Sequence, residues 1–296
     1  MPAKRSCREG DVAQCSSPML MTRPPPSPRL PRMIRADGGV RLAIGADPRR
    51  GGTPMRIAES GGYRVRFPRG GICEGVFINT AGGMTGGDRL ALDIALAEGA
   101  TATLTTQAAE KIYRSDHDDT EIDVSLTLAP GAGLAWLPQE QILFDEARLR
   151  RRFTVDMAAD ARLILLESTI FGRTAMGESV NAGRFRDSWR VRRAGRLIFA
   201  EEVRLEDPIA QTLARGAVAG GAHAFATCLI VAPDAEARLE EARACLAEAP
   251  CPCGVSALDG FLVARFLSHD AQALRGALIR FVEAMRARAM PRSWMI

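Results

Sequence analysis

The sequence predicts a mainly β protein: a layered, β-helix-like stack of short strands, followed by a C-terminal β-α-β-β-α segment. Three observations lead there. From Gly39 onward the chain breaks into short runs with period-two alternation, the first being Val40-Arg41-Leu42-Ala43-Ile44. Turn signals such as Glu98-Gly99, Pro130-Gly131 and Ala194-Gly195 recur every dozen residues or so. No helical periodicity interrupts the strands before the last quarter of the chain, which leaves a sandwich or a layered β-solenoid as the architecture.

Residues 1–33 stand apart. They hold Pro24-Pro25-Pro26 and scattered Ser and Arg without periodicity, and are expected to be a disordered tail. Residues 34–296 form the folded part, a β-rich stack over 34–210 with an α+β portion over 211–296 packed on it. Its strands are read at Tyr63–Phe67, Gly75–Asn79, Arg89–Leu96, Thr101–Thr106, Ile122–Leu128 and Leu134–Leu137. They continue at Phe153–Met157, Arg162–Ser168, Phe185–Arg192 and Leu197–Leu205. Phe225–Val231 is a further strand, and Val255–Leu258 and Phe261–Leu267 make a hairpin through Asp259-Gly260. Helices are predicted over 233–249 and 271–289. In the second, Leu274, Leu278, Phe281, Val282 and Met285 form one apolar stripe, capped by Ser268 or Asp270. No internal repeat stands out.

Composition narrows the function. The 296 residues are 47% hydrophobic and 25% charged, so the chain can bury a large core. A net charge of +4 with 5% aromatics argues against a nucleic-acid platform. Seven cysteines at irregular spacing indicate a reducing, cytoplasmic location rather than a disulfide framework. No apolar run is long enough for a signal peptide or a membrane span.

The glycine cluster Gly82-Gly83-Met84-Thr85-Gly86-Gly87-Asp88 invites a phosphate-loop reading. That reading fails: the position where a P-loop needs Lys holds Asp88, and strands flank the cluster where a helix is required. A tight strand connection with several positive φ angles explains the glycines as well. His117, His223 and His269 form no triad or metal pair, and Cys251 and Cys253 lack the second pair that a zinc site needs. What remains is a set of oddly placed acids. Glu167 follows the apolar run 163–166, Glu201 and Glu202 follow Leu197-Ile198-Phe199, and Glu178 sits among glycines. Such carboxylates either pair with arginines such as Arg173 and Arg204, or line a hydrated interior that carries a cation.

At these stretches the sequence resembles a known family. Asn79-Thr80-Ala81-Gly82-Gly83-Met84-Thr85-Gly86-Gly87-Asp88 resembles the signature of the urease accessory protein UreD (UreH) family. Residues 105–115, Trp136-Leu137-Pro138-Gln139-Glu140, Phe171-Gly172-Arg173 with Gly177-Glu178, Arg265-Phe266-Leu267-Ser268, and Pro291-Arg292-Ser293-Trp294 follow in the family's order. The resemblance implies a β-helix-type fold and a non-enzymatic scaffold in nickel insertion. It implies partners: UreF directly, the GTPase UreG through UreF, and the urease apoprotein. It also implies transient Ni2+ in a water-filled tunnel, with no tightly bound cofactor. By position, Asp88, Glu167 and Glu201 match the family's tunnel-associated acids, and Cys73 matches a cysteine sometimes found there. Gly82, Gly83, Thr85, Gly86, Gly87 and Glu178 belong to its motifs. The proline-rich tail and Met84 depart from the family pattern. Two other readings stay open beside it: a carboxylate-metal hydrolase, and a protein-binding scaffold without a metal role.

Overall fold

Three stretches of the chain share one turn. Leu96-Ala97-Glu98-Gly99-Ala100, Leu128-Ala129-Pro130-Gly131-Ala132 and Met157-Ala158-Ala159-Asp160-Ala161 each carry one strand over into the next. The second and last alanines recur in register, and Ala100, Ala132 and Ala161 are fully buried. The Gly99 N–H donates to the Pro130 carbonyl at 2.9 Å, so the turns stack directly. They mark an internal repeat that sequence reading passed over, because the loops closing each repeat differ in length and blur the period. The computed structural model describes residues 35–295 apart from 174 and 175. The predicted tail lies outside the described residues.

Each repeat is one coil. The first runs through β5 (Arg89–Leu96), β6 (Thr101–Thr106) and β7 (Glu110–Ile112), and the second through β8 (Thr120–Leu128), β9 (Gly133–Leu137) and β10 (Gln141–Leu143). The third runs through β11 (Arg148–Met157) and β12 (Arg162–Phe171), and β13 (Arg184–Arg193) begins a fourth. The long strands stack in parallel as one sheet, β5 on β8 on β11 on β13. Strands β6, β9 and β12 stack in parallel in a second sheet, and β7, β10 and the end of β12 make a narrow third face. The fold is the β-solenoid alternative of the sequence prediction.

Hairpins close the first sheet at both ends. At one end β1 (Asp37–Asp47) lies parallel to β5 and turns back antiparallel as β2 (Gly51–Ser60). At the other, β14 (Arg196–Glu206) returns antiparallel on β13. Each hairpin carries a register shift, at Ala43/Ile44 and at Val191/Arg192. The second sheet runs from β3 (Tyr63–Arg66) and β4 (Glu74–Asn79) through β6, β9 and β12. It is extended by β15 (Ala224–Val231), β17 (Phe261–Ser268) and β16 (Cys253–Leu258), all antiparallel. Strands β2, β7 and β10 were not anticipated: β2 is largely exposed and does not alternate, and the other two are three residues long.

Between the sheets, register lines up inward side chains in rows. Leu92, Val124, Phe153 and Trp189 form one row, and Ile94, Leu126, Val155 and Val191 the next. Leu104, Trp136 and Leu165 meet them from the second sheet. Each such side chain contributes about 1.5–3 kcal/mol by leaving water. On the outer face of the second sheet, α3 (Ala271–Arg286) buries Leu274, Leu278, Phe281, Val282 and Met285. Asp270 caps its start by accepting from the Gln272 N–H at 2.8 Å. The helix stops three residues short of the predicted end, because Ala287 turns left-handed at φ 48°. The helix predicted over 233–249 is a 3-10 turn (Glu236–Arg238) followed by α2 (Leu239–Leu246), and a short α1 (Ile209–Leu213) follows β14.

The chain end is held firmly. Trp294 Nε1 donates to the Leu137 carbonyl at 2.9 Å, and Gln139 Nε2 donates to the Ser293 carbonyl at 2.8 Å. Arg275 lies over the Trp294 ring, donating to the Trp294 carbonyl and to Glu140. Among the described residues, no helix is long and apolar enough to cross a membrane.

Candidate functional site

The inward row beside Leu92–Trp189 begins as apolar: Leu90 on β5, then Ile122 on β8. On β11 the same register position holds Arg151, and on β13 it holds Asp187. Strand alternation forces this, since Arg151 shares parity with Leu149, Phe153 and Val155, and Asp187 with Phe185, Trp189 and Val191. Arg151 is 1% exposed. Its Nε and Nη2 donate to the two Asp187 oxygens at 2.9 and 2.6 Å, a two-pronged pair. Its Nη1 donates across the stack to Glu167 on β12. Both carboxylates also accept from an indole: Trp136 Nε1 reaches Glu167 at 2.8 Å and Trp189 Nε1 reaches Asp187 at 3.0 Å.

One arginine thus serves two buried carboxylates. Burial pushes Glu167 up to about 7; Arg151 and the Trp136 N–H oppose that shift, while the Asp187 charge adds to it. The same environment holds Arg151 more firmly protonated than usual, because its two anions outweigh its burial.

Glu167 and Arg151 form the wall of a cavity of about 290 Å³ between the sheets. Its lining is polar for a protein interior, with Tyr63, Asn79, Gln107, Glu110, Gln139 and Gln141. The Tyr63 hydroxyl and Gln141 Oε1 are buried without a hydrogen-bond partner among the described residues. The cavity has room and polar partners for water beside an apolar wall of Phe77, Leu92, Val124 and Phe153. Glu110, on β7, accepts from Asn79 Nδ2 at 2.9 Å, and burial pushes its carboxyl up to about 7 against that bond and against Lys111. Among the described residues, no three His, Cys, Asp or Glu side chains cluster as a metal site.

The structure distributes the other predicted residues. Asp88 is 7% exposed and ties the glycine loop down: its carboxylate accepts from the Ala36 and Thr85 N–H groups, each at 2.8 Å. Gly82, Gly83 and Gly87 in that loop take positive φ, as a tight connection requires. A Cβ on Gly86 would meet Ser115 Oγ at 1.7 Å. The Thr85 hydroxyl donates to the Arg114 carbonyl. Glu178 pairs with Arg173 at 2.8 Å, which lowers its pKa, and Arg173 lies 4.3 Å from the Phe144 ring centroid. Glu201 pairs with Arg265 at 2.7 Å and lines a separate groove beside Phe225 and Leu213. Cys73 is buried under a different cleft, on the outer side of the second sheet. Glu167, Glu201 and Cys73 therefore line three different cavities. Glu167 and Glu201 each pair with an arginine, Arg151 and Arg265 rather than Arg173 and Arg204, and Glu167 also faces the cavity.

Sequence reading missed Arg151, Asp187 and Glu110. The parity of β11 and β13 was the available signal for the first two.

Comparison with known proteins bears on this arrangement. The family model described as UreD urease accessory protein matches residues 36–295. The chain belongs to the UreD family of urease accessory proteins. Curated UreD proteins are similar along nearly their whole length. Urease accessory protein UreD 1 of Methylobacterium radiotolerans is 53% identical over 280 residues, covering 92% of this chain and 97% of that protein. The UreD of Azorhizobium caulinodans is 47% identical, covering 90% and 98%. In this UreD-family chain the motifs at 79–88, 105–115, 136–140 and 171–178 fall along adjacent coils, where the chain passes between β4, β7, β10 and β12.

Proposed function

We propose that this chain is a non-catalytic scaffold that works with UreF, and through it UreG, on the urease apoprotein, and that nickel crosses its interior chamber on the way to the urease active site. One observation carries the reading: the cavity inside the solenoid is lined by the carboxyls of Glu110 and Glu167, both raised to about 7 by burial, beside the amides of Asn79, Gln107, Gln139 and Gln141 and the cations of Arg64, Lys111 and Arg151. Carboxylate, amide oxygen and water prefer hard divalent ions, so they would hold a borderline ion such as nickel only weakly. Protons compete for the same two carboxyls near pH 7, which keeps the hold weak and the cargo moving. Family membership supplies the urease context.

The test uses Glu110→Gln, which keeps the Asn79 hydrogen bond and removes the charge. In the assembled complex of this chain, UreF, UreG and apo-urease, nickel per urease site should fall several-fold with complex yield unchanged. Full nickel content in an intact complex would remove the chamber from the path.

A further inference from the structure

On the outer face of the second sheet, where β6, β9 and β12 begin, five arginines surround a cleft of about 390 Å³. Arg50 comes from the β1–β2 turn, Arg162 from β12 and Arg238 from the 3-10 turn, while Arg286 is the last residue of α3 and Arg288 lies just past it. Among the described residues, no Asp or Glu lines it.

The chain neutralises this charge only in part. Arg162 reaches Asp234 at 2.7 Å and Arg238 reaches Glu241 at 2.9 Å, both carboxylates standing outside the cleft. Arg50 spends its Nη2 on the Pro68 and Ile72 carbonyls, and its Nε is buried without an acceptor. Arg286 donates to Thr103 Oγ1 at 2.9 Å and to the Ala289 carbonyl. Burial pushes its pKa below the ordinary arginine value and the Arg288 charge adds to the fall, with Glu74 and Glu283 pulling weakly the other way.

The floor has a different character. Gly133, Ala135, Ile164 and Ile230 make it shallow and aliphatic. Among the described residues no aromatic side chain lines the cleft, so a nucleobase finds no stacking surface there. The floor's backbone N–H groups are engaged in the β6–β9–β12 ladder, and α3 presents its carbonyl end here. A phosphoryl group therefore lacks the backbone donors that usually hold it. The residues 1–34 of this chain are themselves basic, with Glu9 and Asp11 their only acids, and do not complement the site.

We propose that this cleft docks an acidic segment of a partner protein, its carboxylates on the arginine rim and an aliphatic side chain on the Gly133–Ala135 floor. The proposal stands apart from the nickel reading. It requires only an acidic partner, and it survives if the interior chamber carries nothing.

The probe is a fluorescein-labelled hexapeptide that repeats two glutamates and a leucine, into which the full chain is titrated while fluorescence anisotropy is read. Arg286→Gln with Arg288→Gln should weaken binding about tenfold, and added salt should weaken it further. Arg288→Gln alone changes one exposed side chain and should weaken binding about threefold without touching the fold. Arg152→Gln, on the other sheet, should leave affinity unchanged. The proposal is overturned by equal affinity in the parent chain and both cleft variants, or by no binding at all. It is also overturned if the peptide with serines in place of leucines binds as well, or if inorganic phosphate binds as tightly with the same losses. The first of those would mean a bare charge patch, the second a phosphoryl site.

Discussion

Two neighbouring rows of inward side chains run down the first sheet, built by the same strands in the same register. One reads Leu92, Val124, Phe153, Trp189 and stays apolar along its length. The other reads Leu90, Ile122, Arg151, Asp187 and changes from hydrocarbon to ion halfway. Backbone and burial are matched, so the difference isolates what the side chains do. The apolar row gains from every neighbour it touches. The ionic row needs three partners placed at once, Arg151, Asp187 and Glu167, and its worth depends on none of them being absent. Both rows border the interior cavity, Leu92, Val124 and Phe153 from the first and Leu90, Ile122 and Arg151 from the second, and only the second brings charge to it.

The largest break in this contrast should come from Arg151→Ala, which strands two buried carboxylates. We expect a loss of about 5 kcal/mol, the upper end for breaking a buried pair. Chemical denaturation measures it beside Phe153→Ala, where a cavity costs about 3–5 kcal/mol. A loss under about 1 kcal/mol at Arg151 would mean that water enters and rescues the ions. Glu167→Ala comes next, at about 3 kcal/mol, because Arg151 keeps its two-pronged bond to Asp187. Glu167→Gln should cost less, retaining an acceptor for Trp136. Equal losses for the two variants would show that charge, not the acceptor, decides.

The smallest effect is in pH. The Glu110 carboxyl is raised to about 7, so the folded state binds its proton more tightly than the unfolded chain. Stability from that proton is present below the unfolded value, about 4.3, and is lost as pH rises through about 7. Relative to the parent chain, Glu110→Gln should therefore be neutral near pH 4.5 and increasingly stabilising toward pH 8. Urea melts across that range check the sign, and a flat difference would place Glu110 in free contact with bulk water.

Much of this was legible in the residues, and the failures have physical causes. Strand alternation marked nearly every solenoid strand, because one face of each is buried. The coil repeat was written in the Ala-x-x-Ala turns, yet the stretches that lead from β6 to β8 and from β9 to β11 differ in length and hide it. The ionic row was missed because Arg150-Arg151-Arg152 looks like a solvated charge run. Only extending the alternation back from Phe153 shows that its middle arginine points inward. Glu167 stood out as an acid after an apolar run, but its partner lies on another coil, and register across coils cannot be read from local spacing.

The two terminal hairpins have a consequence for assembly. A pile of parallel coils is a template: each exposed end invites another coil, from this chain or a copy, as a fibre grows. Here the final strands run backwards. Strand β2 presents an antiparallel edge with a register shift beside Pro54, which has no N–H to offer. Strand β14 does the same at the far end with its own shift. Within the first sheet the parallel stack is thus interrupted at both ends by a reversed strand.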